Sequence, residues 1–296
     1  MSTGKTNRKE KIQLDEVELL VRRLGNGTNP LLVIHGGPDW DHNYLIPPFE
    51  MIADHYPVLL FDIRGCGGST RFGIPEKYGS DKVVEDLVQL LDKEGIGKAW
   101  LLGFSFGGRI LLRFAKKYPH RVKAMVLAST ILADPPKREI SVLPEHQVRL
   151  DSTPSMQEVF VRSDLSPAEK TKTLALKQLP LDVYDLEKVG EIEKIVQNVD
   201  FSGEWGMALQ AGLLVRDQTN YTPWLMGQDF PVLVLHGQND MRFSVPDIAP
   251  GKNISVKVLE KCGHFAHLEN PPQWSDIILD FLRAHSQEEG QQLADG

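Results

Sequence analysis

Six short apolar runs recur along the chain, and helical patterns separate most of them. Their hydrophobicity is continuous rather than alternating, which predicts strands covered on both faces, as in a parallel sheet. A seventh segment, Val17–Leu24, predicts an edge strand or hairpin ahead of them. The six runs are Leu31–His35, Val58–Ile63, Ala99–Gly103, Ala124–Ala128, Val232–His236 and Ile254–Leu259.

Helices are predicted between these strands. Apolar residues at positions 84, 87, 88 and 91 fall on one helical face, in a helix that can begin at Ser80 or Asp81 and end at Gly95. Phe106–Tyr118 and Pro272–Ala284 carry two further helical patterns. This alternation predicts an α/β fold with right-handed crossovers and helices on both faces of the sheet.

The alternation breaks between positions 131 and 229, where the chain is charged, contains several prolines and lacks a strand-like run. We expect this insertion to form a helical cap over the sheet. The predicted core domain then comprises residues 12–130 and 230–286. The polar ends, residues 1–11 and 287–296, are expected to be flexible tails.

Composition narrows the classes of partner. The 296 residues include 33 Lys+Arg and 40 Asp+Glu, a net charge of −7, which disfavours nucleic acid or an anionic membrane as the main partner. No apolar run approaches the roughly 20 residues of a membrane span, and the polar, basic start does not resemble a secretory signal. The two cysteines, Cys66 and Cys262, make no disulfide framework, so a cytoplasmic location is the default expectation.

Cofactor motifs are also missing from the sequence. The nine histidines show no HExxH spacing, and the glycine-rich segments do not follow the phosphate-binding pattern. We therefore expect neither a metal nor another cofactor. The expected substrate is a small molecule or a short peptide. The sequence leaves the oligomeric state open.

The segment Gly103–Gly107 fits the G-x-S-x-G pattern, directly after a predicted strand and directly before a predicted helix. That context is the one a nucleophile elbow requires. The turn would project the hydroxyl of Ser105 above the sheet, next to the positive end of a helix. Ser105 is therefore the candidate nucleophile.

A serine hydroxyl needs a base that is oriented by an acid. In elbow-containing folds the acid and the histidine follow the serine in that order. Asp240 comes just after the strand Val232–His236, and His264 follows the strand Ile254–Leu259. His267 is the competing base, but His264 lies at the predicted loop apex and is preferred on that ground.

A third element, His35-Gly36-Gly37-Pro38, directly follows a strand. Turns of this type supply one oxyanion-hole N–H, and the residue after the nucleophile supplies the other. The predicted donors are the backbone N–H groups of Gly37 and Phe106. Pro38 has no N–H to donate, and His35 is expected to orient the loop by hydrogen bonds rather than act as a base.

Three segments together resemble the α/β-hydrolase superfamily and, within it, the proline iminopeptidase group. They are His35–Pro38, Asp62–Ser69 and Gly103–Gly108. The resemblance covers the core and not the insertion. It implies an eight-stranded, mostly parallel sheet with a helical cap, and a structural rather than catalytic role for Arg64.

The sequence also departs from that group. The aminopeptidases usually have glycine after the His-Gly-Gly-Pro segment, where this chain has Asp39, and their elbow usually has glycine and tryptophan where Phe104 and Phe106 stand. Their caps carry glutamates that hold the free amine of the substrate. Glu204, beside Trp205, is the candidate here for such substrate contacts.

These features predict a serine hydrolase that works through an acyl-enzyme. The leading hypotheses are an aminopeptidase like the proline iminopeptidases and an esterase for small esters. The alternatives are a carbon–carbon bond hydrolase or lactonase on the same residues, and a non-catalytic receptor for a small ligand. The intact order of serine, aspartate and histidine argues against the receptor.

Overall fold

The structure, a computed structural model, describes residues 6–133, 144–214 and 217–286. Within these residues eight strands form one sheet. They are β1 (Asn7–Gln13), β2 (Glu18–Leu24), β3 (Leu31–Ile34), β4 (Val58–Phe61), β5 (Ala99–Phe104), β6 (Val122–Ala128), β7 (Val232–Gly237) and β8 (Ile254–Leu259).

The sheet is mostly parallel, as predicted. Its strand order is β1-β2-β4-β3-β5-β6-β7-β8. Strands β1 and β2 pair antiparallel with each other and β2 pairs antiparallel with β4, whereas all the other pairs are parallel. Strand β4 lies on one side of β3 and β5 on the other, so the strand order reverses at β3. The carboxyl ends of β5, β7 and β8 consequently open at the same edge, where ligands bind in folds of this type.

The rest of the described chain includes twelve α-helices. Those flanking the sheet in the core are α1 (Ile46–Ala53), α2 (Ser80–Lys93), α3 (Phe106–Lys117), α11 (Ala266–Glu269) and α12 (Pro271–Ser286). Those between β6 and β7 are α4 (Pro144–Ser152), α5 (Met156–Phe160), α6 (Pro167–Lys177), α7 (Leu179–Asp182), α8 (Val189–Val196), α9 (Glu204–Gln210) and α10 (Thr222–Met226). Short 3₁₀ turns occur at Asn43–Leu45, Pro75–Lys77, Pro119–Arg121 and Leu186–Lys188.

Two apolar layers sandwich the sheet. Successive residues of a strand point to opposite faces, and in β3 Leu32 and Ile34 join one layer whereas Leu31 and Val33 join the other. Helices α2 and α3 cover the first face, and α1 and α12 cover the second. All residues of β3, β4, β5 and β7 are buried, which accounts for their continuous apolar sequence. The predicted helices on both faces are confirmed.

The N-terminal boundary requires a correction. Residues 7–11 were expected to belong to a flexible tail, but they form most of β1, which pairs with β2 from Asn7↔Leu24 to Gln13↔Glu18. The sequence NRKEKIQ is largely exposed and offers little apolar alternation. Backbone hydrogen bonds to β2 hold this strand, together with ion pairs such as Arg23–Glu10. Residues 287–296, the other predicted tail, lie outside the described residues.

The described helices between β6 and β7 all fall within positions 131–229, the predicted cap. They pack against both apolar layers: Trp205 joins the layer of α2 and α3, and Leu179, Val183 and Val196 join the other. Residues 134–143 and 215–216 of the predicted cap lie outside the described residues. Across the described chain, no helix is long and apolar enough to cross a membrane.

Candidate active site

Ser105 occupies the sharp turn between β5 and α3. Its backbone adopts φ 51° and ψ −115°, a conformation that L-residues rarely take. Hydrogen bonds hold the turn on both sides: the Ser105 N–H donates to the Ala128 carbonyl at 2.9 Å, and the Thr130 hydroxyl donates to the Ser105 carbonyl at 2.7 Å. The end of the neighbouring strand β6 and the residues just after it thus fix the backbone from which the serine hydroxyl projects.

The glycines of the elbow are required by close packing. A Cβ at Gly107 would lie 2.2 Å from the Ile34 carbonyl oxygen, and one at Gly103 would lie 2.6 Å from the Gly107 oxygen. Real Cβ atoms do not approach backbone oxygens so closely. The first turn of α3 therefore lies directly against the end of β3, next to the His35–Pro38 loop.

The hydroxyl of Ser105 is hydrogen-bonded to His264. Ser105 Oγ lies 3.0 Å from His264 Nε2, and His264 Nδ1 lies 2.8 Å from Asp240 Oδ2. The carboxylate can only accept, so the Nδ1–H of a neutral imidazole donates to Asp240 and Nε2 is left to accept the serine proton. The three side chains come from the ends of β5, β7 and β8, as the sequence predicted.

Tight contact between two loops sets the Asp240–His264 pair. A Cβ at Gly237 would lie 2.1 Å from the Gly263 carbonyl oxygen, and the Asn239 N–H donates to the Cys262 carbonyl at 2.9 Å. On the other side, the buried Glu269 carboxylate accepts from the Gly263 N–H at 2.6 Å. The loop that carries His264 is therefore held from both directions.

Asp240 is a buried carboxylate surrounded by donors. Its Oδ1 accepts the backbone N–H groups of Arg242 and Phe243 at 2.8 and 3.0 Å. Its Oδ2 lies 3.2 Å from Nε2 of a second imidazole, His236. Burial acts to raise the pKa of Asp240, but His264 and His236 outweigh it and hold that pKa well below its usual range. Asp240 is therefore an anion at neutral pH.

The competing histidine has different surroundings. His267 is fully buried and its ring lies 4.5 Å from that of Phe104, with the rings of Tyr44, Phe265 and Trp274 around it. Neither ring nitrogen of His267 has a hydrogen-bond partner within the described residues. Burial, with a contribution from His264, lowers its pKa well below the ordinary histidine value, so it is a neutral packing residue.

The loop after β3 passes close to the serine. A Cβ at Gly36 would lie 3.1 Å from Ser105 Cβ, so this loop borders the elbow. His35 orients the loop as expected: its Nδ1 bonds the Gly36 carbonyl at 2.7 Å, and its Nε2 accepts the Ile63 N–H at 3.1 Å. Gly37 has φ 120°, and Phe106 is the first residue of α3, where backbone N–H groups lack intrahelical acceptors.

A cavity of about 270 Å³ opens next to Ser105 and His264. Its wall is mostly apolar, and helices between β6 and β7 supply much of it. The apolar lining residues include Met156, Phe160, Leu174, Trp205, Leu209, Leu214 and Phe243. A mostly apolar cavity with a few polar groups is typical of small-molecule sites.

Two carboxylates of the described chain line this cavity, and both are engaged in hydrogen bonds. Asp39 accepts backbone N–H groups from Trp205 and Gly206, each at 2.8 Å. Asp182 forms a two-pronged ion pair with Arg242, with 2.7 Å between Arg242 Nη2 and Asp182 Oδ2.

Of the two residues predicted to contact the substrate, only Trp205 lies in the described lining of the cavity. The Glu204 carboxylate instead accepts the Gly73 N–H at 2.8 Å and the Tyr78 hydroxyl, which lie on the segment before α2. Arg64 pairs with the buried Asp86 through two bonds of 2.6 Å, which agrees with the structural role that the resemblance implied. Among the described residues, no group of histidine, cysteine or carboxylate side chains is arranged to hold a metal ion.

Comparison with known proteins identifies the family. A family model described as alpha/beta hydrolase fold matches residues 29–271. The chain belongs to this family. It is 35% identical to a proline iminopeptidase from Clostridioides difficile (strain 630), over 36% of this chain and 36% of that relative, so this match spans about a third of each protein.

Matches that cover most of the chain are more distant. A 2-hydroxy-6-oxononadienedioate/2-hydroxy-6-oxononatrienedioate hydrolase from Burkholderia vietnamiensis (strain G4 / LMG 22486) is 27% identical over 88% of each chain. The structure of an alpha/beta fold family hydrolase from Bacillus anthracis str. Sterne superimposes with a TM-score of 0.71 at 18% identity, over 93% of this chain and 99% of that one. The fold class and the resemblance to the proline iminopeptidase group are thus confirmed.

Sequence reasoning overlooked several residues around the site. His236 has a usable signal, since it is the penultimate residue of β7 and lies four residues before Asp240. Asp182 has none, because its partner Arg242 is 60 positions away and meets it only through the tertiary fold. Glu269 binds Gly263, six positions before it, but its other partner, Tyr184, is 85 positions away.

Proposed function

We propose that this protein is a serine hydrolase in which Ser105 is the nucleophile, His264 the general base and acid, and Asp240 the residue that orients His264. The observation that carries the proposal is the hydrogen-bonded chain Ser105–His264–Asp240 at the wall of an apolar cavity. Membership of the alpha/beta hydrolase family supports it.

The reaction proceeds in two halves. Ser105 Oγ attacks the substrate carbonyl carbon as its proton passes to His264 Nε2, and the carbonyl oxygen becomes an oxyanion. Collapse of this intermediate breaks the bond to the leaving group, which takes the proton from His264. Water then attacks the acyl-enzyme with His264 again as base, which releases the acid and restores Ser105.

The oxyanion is held by the backbone N–H groups of Gly37 and Phe106. Both belong to segments that border Ser105, and the N–H of Phe106 stands at the positive end of α3. Donors fixed by the fold need no rearrangement as charge develops, which is the main source of their effect on rate.

The cavity favours esters of compact, mainly apolar acyl groups as substrates. An aminopeptidase needs an anionic group for the free amine of its substrate. The two carboxylates in the described lining, Asp39 and Asp182, already pair with other groups. A protonated amine would therefore find no carboxylate in this lining that is free to bind it, whereas a neutral acyl chain would not need one.

An aminopeptidase of the proline iminopeptidase type is the second candidate. The partial match to the Clostridioides difficile protein and the His35–Pro38 segment favour it. In that case the substrate is an N-terminal aminoacyl amide and Trp205 remains a predicted contact for it. Glu204 would first have to leave its hydrogen bonds to Gly73 and Tyr78.

Turnover assays on purified protein test both candidates. The panel comprises p-nitrophenyl esters from acetate to octanoate, prolyl and alanyl p-nitroanilides, and the same anilides with an acetylated amine. We expect ester turnover that a Ser105→Ala variant lowers by at least about 10³-fold. Efficient cleavage of the free-amine anilides but not the acetylated ones would replace the esterase with the aminopeptidase. A Ser105→Ala variant with near-normal turnover would overturn the serine mechanism.

A further inference from the structure

The carboxylate of Asp39 connects the oxyanion loop to helix α9. Its Oδ1 accepts the Trp205 N–H at 2.8 Å and the Ser202 hydroxyl at 2.8 Å, and its Oδ2 accepts the Gly206 N–H at 2.8 Å. The backbone carbonyl of Asp39 also accepts the Ser202 N–H at 3.2 Å. Four hydrogen bonds therefore join one residue of the loop to the first turn of α9 and the segment before it.

Asp39 lies two residues after Gly37 and is nearly inaccessible, with 3% of its surface exposed. Its φ of 71° is in the left-handed region, which aspartate tolerates better than most residues. The resembled aminopeptidases usually have glycine at this place. Aspartate can keep that backbone shape and add a carboxylate that glycine lacks.

Trp205 links helix α9 to Phe106, the residue proposed to supply the second oxyanion-hole donor. Its backbone N–H binds Asp39, its ring packs edge-on against Phe106 with 5.4 Å between centroids, and its indole N–H donates to the Arg64 carbonyl at 2.8 Å. Helix α9 thus contacts both segments that bear the proposed donors, Gly37 and Phe106. Trp205 and Gly206 also line the cavity.

The environment of Asp39 makes these bonds strongly interdependent. Burial raises the pKa of Asp39, and the donors from Trp205, Ser202 and Gly206 oppose that effect. A buried carboxylate without such donors is costly, as are two helix-start N–H groups without an acceptor. The loop that carries Asp39 and helix α9 are therefore expected to stay fixed relative to each other.

We propose that Asp39 is a positioning residue that locks helix α9 onto the oxyanion loop, so that the Gly37 N–H is aimed correctly only while α9 is docked. The proposal rests on the proposed function, because it assigns Asp39 a task in stabilising the oxyanion. It makes the wall of the acyl cavity and the oxyanion hole one rigid unit.

Two substitutions and a matched control test this role. Asp39→Asn keeps the shape but presents an NH₂ group to one of the helix donors, and Asp39→Gly keeps the left-handed backbone and removes both acceptor oxygens. The control is Asp41→Asn. Asp41 is an equally buried carboxylate of the same loop, and it accepts the Asn43 and Asp200 N–H groups at 2.8 and 3.0 Å without lining the cavity.

The measurements are kcat and KM for the best ester, the inhibition constant of an alkyl boronic acid, and the thermal midpoint. A boronic acid adds to the serine hydroxyl and forms a tetrahedral anion, so its affinity reports on the oxyanion hole. In both Asp39 variants we expect kcat to fall by about 10- to 100-fold with KM within about threefold, and boronate binding to weaken in parallel. Asp41→Asn should share the loss of thermal stability and keep kcat.

Two results would overturn the proposal. One is a pair of folded Asp39 variants with unchanged kcat and boronate affinity, and the other is an equal loss of kcat in Asp41→Asn. Ser105→Ala separates either result from a failure of the proposed function. If that variant loses turnover while the Asp39 variants keep it, the serine mechanism stands and the role of Asp39 does not.

Discussion

The imidazole of His236 lies 3.2 Å from Asp240 Oδ2, the same oxygen that accepts from His264 Nδ1 at 2.8 Å. His236 Nε2 is also 3.1 Å from the Phe243 carbonyl. Both neighbours are acceptors, so the Nε2 of a neutral His236 carries the hydrogen and its Nδ1 is left without a partner among the described residues. Asp240 is therefore held by a second imidazole behind the one that faces Ser105.

Substitution of His236 should affect turnover through the orientation of Asp240. In His236→Leu the carboxylate loses one donor, and we expect kcat to fall about tenfold with little change in KM. His236→Gln can place an amide N–H where the imidazole Nε2–H stands, so it should recover most of the loss. Steady-state kinetics on the best ester measures both variants. Equal turnover in the leucine and glutamine variants would contradict this role.

The sequence predicted the candidate catalytic residues better than the strands and contacts that surround them. Ser105, Asp240 and His264 each follow a strand with a strong apolar pattern, and parallel strands bring their carboxyl ends to one edge. The strand it missed, β1, has a weaker signal, because it is mostly charged and is held by backbone pairing. Strand β8 was predicted at its observed bounds, but it lies at the sheet edge with residues exposed in its middle and is not covered on both faces like β7.

The helices between β6 and β7 were predictable as a class but not in their contacts. Their prolines and charges indicate short helices, yet nothing in the sequence indicates that Asp39 would bind the start of α9 or that Asp182 would meet Arg242. Such contacts join positions far apart in the chain, and local pattern carries no information about them. The resembled family usually has glycine at position 39, and glycine could not make the hydrogen bonds that Asp39 makes to α9. The resemblance therefore gave no indication of this contact.

Gly107 should be intolerant of any side chain. A Cβ there would lie 2.2 Å from the Ile34 oxygen and 2.5 Å from the His35 oxygen, so backbone atoms would have to move. We expect Gly107→Ala to lower the free energy of unfolding by about 3 kcal/mol, the upper part of the range for overpacked cores. Urea denaturation at neutral pH measures it.

A matched control for Gly107 lies in α8. Gly190 is also helical, but a Cβ there would meet nothing within 4 Å. Gly190→Ala should therefore raise the free energy of unfolding by about 0.5–1 kcal/mol through helix propensity. A Gly107→Ala protein as stable as the wild type would show that α3 does not press on β3 as described.

Asp217 should contribute stability that disappears in acid. Burial acts to raise the pKa of Asp217, but hydrogen bonds from Thr219 and Tyr221 and the charge of Arg109 outweigh it and lower that pKa to about 2. Because the pKa is lower in the folded than in the unfolded chain, the contribution is fully present above about pH 5. It is lost as the pH falls through about 4 towards 2. With allowance for solvent screening it amounts to about 1 kcal/mol.

The measurement compares wild type with Asp217→Asn, whose amide does not titrate, by urea denaturation between pH 7 and pH 3. The difference in free energy of unfolding should be constant down to about pH 5 and shrink below pH 4. Asp276→Asn, at an exposed position of α12, serves as the control and should differ little from wild type at any pH. A difference for Asp217→Asn that grows in acid would contradict the assignment.

The Asp182–Arg242 ion pair in the cavity wall should respond asymmetrically to loss of either partner. The side chain of Asp182 is 2% exposed, whereas that of Arg242 is 33% exposed. Arg242→Met strands a buried carboxylate and should lower the free energy of unfolding by about 3 kcal/mol. Asp182→Asn leaves a guanidinium that can reach solvent, so about 1 kcal/mol is expected. The double variant Asp182→Asn/Arg242→Met removes the stranded charge and should be more stable than Arg242→Met alone. Urea denaturation of the three variants ranks their free energies of unfolding. Equal losses in the two single variants would mean that burial of the Asp182 carboxylate does not make it the costlier group to leave unpaired.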